Sequence, residues 1–211
     1  MSTGAGEPDK TRRQRMRSVG SRILVTGLAA FMIAGCSDGS ESGAAATAQP
    51  TGTTATEGMA RSAPLRVQVP AIGVDSDLMD LGLRDNGTLE VPPEGFPAGW
   101  FTGAPTPGEI GPAIIVGHVD WGGEPGVFYS LHELKAGDEI TVTREDGSAV
   151  VFRVSEVATF PKDEFPTDLV YGDLDYAGLR LITCGGVFDP VTGNYEDNII
   201  AFAELSGSGS N

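Results

Sequence analysis

The stretch from Leu65 to Glu204 is built of short runs rich in β-branched residues, each ended by a turn signal, and no long segment of it has helical periodicity. Runs of this kind predict β-strands. Two of them flank Glu145-Asp-Gly-Ser148, where Asp-Gly favours the positive φ angles of a tight hairpin. Seven runs share the pattern: 66–70, 88–92, 112–118, 139–143, 149–157, 179–183 and 198–204. Seven or eight strands in about 140 residues predict an all-β fold, a closed barrel rather than an open sheet, because closure removes exposed strand edges. Helix is expected only in short turns such as 127–131.

The first 35 residues have the pattern of a signal peptide. A basic stretch precedes residues 23–35, which are uncharged, mostly apolar and too few for a membrane-spanning helix of about 20 residues. The segment ends at Ile33-Ala34-Gly35-Cys36, which resembles a bacterial lipobox, where a cysteine is lipidated and the chain is cleaved before it. We therefore predict lipidation of Cys36, which would hold the protein on a membrane. The alternatives are an ordinary signal peptide with a coincidental cysteine and an uncleaved anchor, and Met16 is an alternative start of the chain.

The rest of the sequence divides into three segments. Residues 36–63 carry the predicted lipidated cysteine and a linker nearly free of large apolar side chains, which is expected to be a flexible tether because it cannot bury a core. Residues 64–205 form the predicted folded domain. Residues 206–211 are Ser-Gly-rich and are expected to be a disordered tail.

Charge is distributed unevenly along the chain. Six of the 14 basic residues precede Gly35, whereas only two of the 29 acidic residues do, so the body of the chain is strongly acidic within a net charge of −15. An acidic body repels a phosphate backbone, and nucleic acid is therefore excluded as a partner.

Cysteine is scarce, and the second of the two cysteines lies at the end of a predicted strand. Residues 179–183 form a buried apolar run that leads through Cys184 directly into the glycine pair 185–186. A thiol in this place is either an inert small hydrophobe or, with a base beside it, a nucleophile. A disulfide with Cys36 is a third alternative in an oxidising compartment, and lipidation of Cys36 would exclude it.

The two histidines of the chain differ in their setting. His118 ends an apolar run after a glycine, much as Cys184 ends its own strand, so both side chains are expected at the rim of the sheet. An imidazole that takes a thiol proton, and a thiolate that attacks a carbonyl, are the minimum for acyl transfer. His132 has the spacing of an exposed surface residue, and Asp120 is expected either to orient the His118 imidazole or to be a turn acid. No metal and no cofactor are predicted, since one thiol and one histidine fall short of the ligands that zinc takes.

Six fragments occur in a particular order and spacing: Val69-Pro-Ala-Ile-Gly-Val-Asp75, Leu83-Arg-Asp-Asn-Gly-Thr-Leu-Glu-Val-Pro92, Gly117-His-Val-Asp120, Phe160-Pro-Lys-Asp-Glu-Phe-Pro166, Leu179-Arg-Leu-Ile-Thr-Cys-Gly-Gly186 and Tyr195-Glu-Asp-Asn198. Together they resemble the sortases, and most closely the class F branch from high-GC Gram-positive bacteria, over nearly all of residues 65–205. The resemblance implies a sortase-like closed eight-stranded β-barrel with short helical turns, and it makes residues 64–205 a sortase catalytic domain.

The resemblance also implies a function. Sortases are cysteine transpeptidases, so Cys184 would cleave the carboxy-terminal sorting signal of a surface protein, of the Leu-Pro-x-Thr-Gly kind, after its threonine. The acyl group would pass from the Cys184 thioester to an amine of a cell-wall precursor or a pilin, and water in place of the amine would make the enzyme a thiol protease. His118 matches the family's catalytic histidine, an acid to the departing amine and a base to the incoming one. The lipid anchor implies a location on the outer face of the cytoplasmic membrane.

The chain departs from the family at a third catalytic residue. Sortases use an arginine from the strand after the cysteine, whereas no arginine follows Cys184 here and Glu196 stands in the segment where it is expected. Arg180 shares a face of the strand with Cys184, but four residues at ~3.3 Å separate their α-carbons by about 13 Å. Arg180 is therefore a tentative substrate contact, and an ion pair with an acid such as Asp173 or Asp175 is the alternative.

Other groups near the cysteine are tentative oxyanion donors in place of the arginine. They are the side chains of Thr183 and Asn198 and the backbone amides freed by the glycine pair. The missing arginine also favours an alternative function, that of a catalytically impaired sortase-fold lipoprotein that binds its ligand without turning it over.

Overall fold

The computed structural model of the chain describes residues 58–210, with side chains to residue 207. The predicted signal peptide, Cys36 and most of the predicted linker lie outside the described residues. No helix in the described part of the chain is long and apolar enough to cross a membrane.

Ten strands and one short α-helix make up the fold of the described residues. The strands are β1 (Pro64–Val69), β2 (Val74–Leu81), β3 (Ala98–Phe101), β4 (Gly111–Val116), β5 (Asp120–Trp121), β6 (Glu124–Pro125), β7 (Glu139–Arg144), β8 (Ser148–Pro161), β9 (Ala177–Asp189) and β10 (Asn194–Ser210). The α-helix α1 spans Thr167–Tyr171, and 3-10 helices span Pro70–Ile72, Leu131–Glu133 and Lys162–Glu164.

Eight of the strands close into a barrel in the order β1-β2-β3-β4-β9-β10-β8-β7, and β7 pairs with β1 to complete it. The strand pairs β2–β3 and β4–β9 are parallel, and the others are antiparallel. Strands β5 and β6 form a separate two-stranded hairpin. The prediction of an all-β, closed eight-stranded barrel with short helical turns is confirmed.

Two apolar clusters lie on the two faces of the barrel wall. The larger fills the interior and includes Val142, Phe152, Leu181 and Ala201. The smaller lies on the other face of β4, β9 and β10, under α1, and includes Ile182. Strands β4 and β9 are buried on both faces, which is why they are nearly continuous apolar runs in the sequence.

The structure differs from the sequence prediction in several elements. Residues 88–92 form no strand, since only Leu89 of this run makes an isolated bridge, with Leu83. Strands β2 and β3 were not predicted, because β2 contains three aspartates and lacks a regular apolar–polar alternation, and β3 has four residues of which one is glycine. The run 127–131, expected as a helical turn, forms turns that lead into the 3-10 helix Leu131–Glu133.

The carboxy-terminal strand is longer than predicted. Residues 206–210, expected to be a disordered tail, continue β10 and pair with the first residues of β8, as far as Ser210 opposite Ser148. Backbone groups of β8 are paired along its whole length in this way, and such pairing does not depend on side chains.

Residues 58–63, expected to be part of the linker, lie against the barrel next to the beginning of β4. The Met59 amide donates a hydrogen bond of 2.8 Å to the Gly108 carbonyl. The Arg61 guanidinium lies 3.3 Å from the Glu109 carboxylate. The folded domain therefore begins before Pro64, and the chain joins it at the end of the barrel where β4 starts.

Candidate active site

Cys184 lies on β9 at the point where the buried part of the strand ends. Residues 177–183 are buried, Cys184 is half-buried, and residues 186–188 are exposed. Side-chain alternation puts Cys184 on the same face as Ile182, which packs in the cluster under α1. The thiol is free, and it lines a cavity of about 1220 Å³.

His118 lies level with Cys184, two residues after the end of the neighbouring strand β4. The parallel pairing of β4 with β9 ends at Val116 opposite Ile182, and the Gly117 amide donates a hydrogen bond of 3.0 Å to the Ile182 carbonyl. His118 and Cys184 each follow this last pair by two residues. Neighbouring strands are about 4.8 Å apart, so the register brings the imidazole and the thiol together at one wall of the cavity, which both line.

The His118 ring is held by the loop before β3. Its Nε2 lies 2.7 Å from the Pro92 carbonyl oxygen, and its ring centroid lies 4.9 Å from that of Trp121. A carbonyl oxygen only accepts hydrogen bonds, so Nε2 donates and Nδ1 is the basic nitrogen. The imidazole is thereby fixed in one tautomer with one nitrogen available for proton transfer.

Asp120 contacts a tyrosine rather than the histidine. The Tyr195 hydroxyl donates a short hydrogen bond to Asp120 Oδ2, and both residues line the cavity. This hydrogen bond, together with burial and the negative charge of Asp120, raises the pKa of Tyr195 to about 12. Tyr195 was not predicted as a site residue, although it belongs to one of the fragments that carry the family resemblance.

Of the two side chains predicted as tentative oxyanion donors, that of Asn198 lies at the site and that of Thr183 does not. Asn198 is directly opposite Cys184 in the β9–β10 pairing and lines the cavity. Thr183 is 2% exposed and pairs with Ile199, whose side chain packs inside the barrel. Alternation along β9 thus turns the Thr183 hydroxyl away from the thiol.

Arg180 is buried away from the cavity, so the structure corrects its tentative role as a substrate contact. It is 3% exposed, its guanidinium carbon lies 4.7 Å from the centre of the Phe202 ring, and Nη1 donates to the Leu179 carbonyl at 3.1 Å. The predicted ion pair with Asp173 or Asp175 is also not formed among the described residues. The cation–π contact with Phe202 and the backbone hydrogen bond hold the guanidinium in this buried position, away from the thiol.

Two cationic side chains that were not predicted line the cavity. Arg84 belongs to the loop between β2 and β3, and Lys162 begins the 3-10 helix after β8. Several apolar side chains line the same cavity: Leu83, Leu89, Val91, Phe101, Phe165 and Phe188. In the range 58–207, no group of histidine, cysteine and acidic side chains is arranged to hold a metal ion.

Comparison with known proteins identifies similarities in family and fold. The sortase domain family model matches residues 67–206. The chain is similar to Sortase C of Streptococcus pneumoniae, with 18% identity, a TM-score of 0.52 and coverage of 68% of this chain and 66% of that chain. For sortase A of Listeria monocytogenes the values are 19%, 0.53, 72% and 92%, and for the Clostridium perfringens Sortase D5 transpeptidase they are 23%, 0.51, 69% and 79%. At these identities the solved structures show the likeness of fold. The comparison with curated proteins finds no match.

Proposed function

This chain belongs to the sortase family, and on that basis we propose that it is a class F-like cysteine transpeptidase. It cleaves a carboxy-terminal sorting signal of the Leu-Pro-x-Thr-Gly kind and transfers the acyl group to an amine. The observation that carries the proposal is the register of β4 and β9, which sets His118 level with Cys184 in one cavity.

The reaction begins with proton transfer from the Cys184 thiol to Nδ1 of His118. The thiolate attacks the threonine carbonyl carbon, a C–S bond forms, and the carbonyl π electrons move onto oxygen. When this intermediate collapses, the C–N bond breaks and the imidazolium gives its proton to the departing amine. The incoming amine then loses a proton to His118 as it attacks the thioester and releases the thiol. Asn198, opposite Cys184, donates from its amide to the oxyanion.

The lining of the cavity suits a peptide with apolar side chains. Its apolar side chains accommodate the leucine and proline of such a signal, and His118, Cys184 and Asn198 line the same cavity. The Streptococcus pneumoniae Sortase C has pilin substrate specificity. A pilin lysine and a cell-wall precursor are accordingly the two amine acceptors we propose.

The proposed location is the outer face of the cytoplasmic membrane. Support comes from the amino-terminal sequence, in which an apolar segment ends at a lipobox-like Cys36. A lipid-anchored enzyme there meets secreted surface proteins that are still held in the membrane by the segment after their sorting signal.

The proposal predicts that Cys184→Ala abolishes cleavage of sorting-signal peptides, because the nucleophile is lost. Incubation of the protein with a panel of such peptides, followed by mass spectrometry, should show a thioester on Cys184 of the unmodified protein and none on the variant.

His118→Ala should lower turnover by about 100-fold or more, since general acid–base catalysis contributes 10²–10⁴-fold. The matched control is His132→Ala, because His132 is exposed and does not line the cavity. Full cleavage by Cys184→Ala would contradict the proposal.

A second candidate function is peptide binding without turnover. It is favoured by Glu196, which stands where an arginine is expected, and by the burial of Arg180. In that case the same peptides bind the protein and protect Cys184 from alkylation, yet no thioester accumulates with any of them.

A further inference from the structure

We propose that Lys162 supplies the positive charge that stabilises the oxyanion at the Cys184 site. The inference rests on the proposed transpeptidase function and names a catalytic residue for it. In the intermediate, the carbonyl oxygen carries a full negative charge once the C–S bond has formed. The Lys162 ammonium donates a hydrogen bond to that oxygen and keeps its proton, and the charge is lost again when the C–N bond breaks.

The strand register places Lys162 close to the position that the arginine of the family would occupy. Strand β10 pairs with β8 through Asn198 opposite Phe160 and Asp197 opposite Pro161. Lys162 is the next residue, so it lies level with residue 196 on the adjacent strand. A positive charge missing from β10 is therefore present one strand away, at the same height along the barrel wall.

The same register sets the distance between Lys162 and the thiol. Asn198 is opposite both Phe160 and Cys184, so Phe160 and Cys184 are two strand spacings apart and Lys162 is two residues further along. Spacings of about 4.8 Å between strands and ~3.3 Å between residues put the Lys162 and Cys184 α-carbons about 12 Å apart. The five bonds of the lysine side chain extend the ammonium by ~6 Å, and the substrate carbonyl lies between the two residues.

Glu196 leaves this space open. The β9–β10 pairing shifts register between Tyr195 and Asp197 because β9 carries the extra residue there, and Glu196 is the single β10 residue opposite Gly186 and Val187. It is exposed and does not line the cavity. Its carboxylate is therefore not part of the cavity wall that carries Lys162 and the thiol.

The Lys162 ammonium is available for a substrate group. The residue is half-buried and lines the same cavity as His118 and Cys184. Among the described residues it forms no ion pair, although Asp163 and Glu164 follow it directly in the 3-10 helix. A half-buried cation with no protein partner, on the wall of a cavity that holds a nucleophile, has the surroundings of a group that binds a transient anion.

Arg84 is the other cation that lines the cavity, and the structure favours it less. It is exposed on the loop between β2 and β3, which is not hydrogen-bonded to β9 or β10. Its position relative to Cys184 is therefore not set by a neighbouring strand pair, whereas Lys162 directly follows Pro161, which pairs with Asp197. Arg84→Met serves as a comparison variant in the kinetic test.

The first test is the turnover of a cleaved sorting peptide by Lys162→Met, Lys162→Arg, Arg84→Met and Lys135→Met. Loss of one oxyanion donor costs about 100-fold or more in turnover, so Lys162→Met should lower kcat by about this factor with a smaller change in KM. Lys162→Arg keeps the charge and should retain most of the turnover. Lys135 is exposed in a loop outside the cavity, and its variant should match the unmodified protein in both kcat and unfolding midpoint.

The second test needs no peptide. Cys184 of each variant is alkylated with iodoacetate, which is an anion, and with iodoacetamide, which is neutral and of similar size. A nearby ammonium speeds reaction with the anion, so the ratio of the two rates should fall by about fivefold in Lys162→Met and stay unchanged in Lys135→Met. Because each ratio is taken within one variant, a general change in thiol reactivity cancels.

Together the two tests separate failure of this inference from failure of the proposed function. A fall in both kcat and the alkylation ratio supports the oxyanion role of Lys162. Turnover by Lys162→Met within threefold of the unmodified protein overturns that role and leaves the transpeptidase function standing. If no peptide is cleaved by any variant but the ratio still falls, the transpeptidase proposal and the oxyanion role both fail, and Lys162 remains a cation that faces the thiol. If the ratio of the two alkylation rates is unchanged in Lys162→Met, the placement of the Lys162 ammonium near the thiol is overturned.

Discussion

At the scale of single residues, the contact between Tyr195 and Asp120 gives the cavity a group that titrates at alkaline pH. The hydrogen bond to the Asp120 carboxylate raises the pKa of Tyr195 to about 12, from an ordinary value of 10. The folded protein thus binds this proton more tightly than the unfolded chain does. The contribution to stability is complete below pH 10 and is lost as the pH rises from 10 to 12.

We predict that Asp120→Asn lowers the pKa of Tyr195 towards 10, because the negative charge that opposes phenolate formation is removed. Tyrosinate absorbance measured against pH should show one tyrosine moving to lower pH, and that component should be missing in Tyr195→Phe. Tyr171, whose pKa is raised by burial alone, provides an internal reference that should not move. An identical titration curve for Asp120→Asn would show that the carboxylate does not hold the proton.

Single residues also show which parts of the site the sequence can predict. Cys184 and His118 each end an apolar run next to a glycine, and this local pattern was enough to suggest that they share a rim. Lys162 and Tyr195 owe their positions to pairing between strands and to loops that fold back over the cavity. Arg180 was misplaced because alternation gives the face of a strand but not what covers that face.

At the scale of elements, the end of β9 depends on a backbone conformation that suits glycine. Gly186 has a φ of 76°, and a Cβ at this position would overlap the Asp197 carboxylate. Asp197 belongs to β10 and pairs with Gly185, next to the β9 bulge that contains Gly186. Gly186 therefore allows β9 and β10 to approach each other just beyond the thiol.

We predict that Gly186→Ala lowers the free energy of unfolding by about 2–3 kcal/mol, because left-handed strain and the overlap with Asp197 add together. The matched control is Gly147→Ala in the β7–β8 turn, where φ is 80° and a Cβ would meet nothing within 4 Å. Strain alone should cost about 1 kcal/mol there. Denaturant unfolding of both variants measures the difference, and equal losses would show that the overlap has no effect.

Elements were predictable where their sequence pattern is local. The β7–β8 hairpin was predicted from its Asp-Gly turn, and β4 and β9 from their continuous apolar runs. Strand β3 has only four residues and pairs in parallel with β2, so its existence depends on residues distant in sequence. The same holds for the extension of β10 to Ser210, which long-range pairing with β8 determines.

At the scale of the whole molecule, the location of the protein depends on a segment outside the described residues. We predict that the mature chain begins with an acylated Cys36 when it is expressed in a high-GC Gram-positive host and isolated from membranes. Mass spectrometry of the amino-terminal peptide is the measurement, and Cys36→Ser should release the protein from the membrane fraction because the thioether cannot form. An unmodified amino terminus at Met1 or Met16 would refute lipidation.

Both ends of the folded domain lie away from the end of β9 that carries the Cys184 thiol. The first described residues contact Gly108 and Glu109, just before β4, and the last ones pair with the beginning of β8. Cys184 lies at the other end of β9, six residues or about 20 Å beyond Gly178, which pairs with Glu204. A bead, a carrier protein or a fluorescent label joined to the domain at either end therefore leaves the cavity mouth unobstructed. The barrel is thus well suited to immobilisation for assays of peptide binding and cleavage.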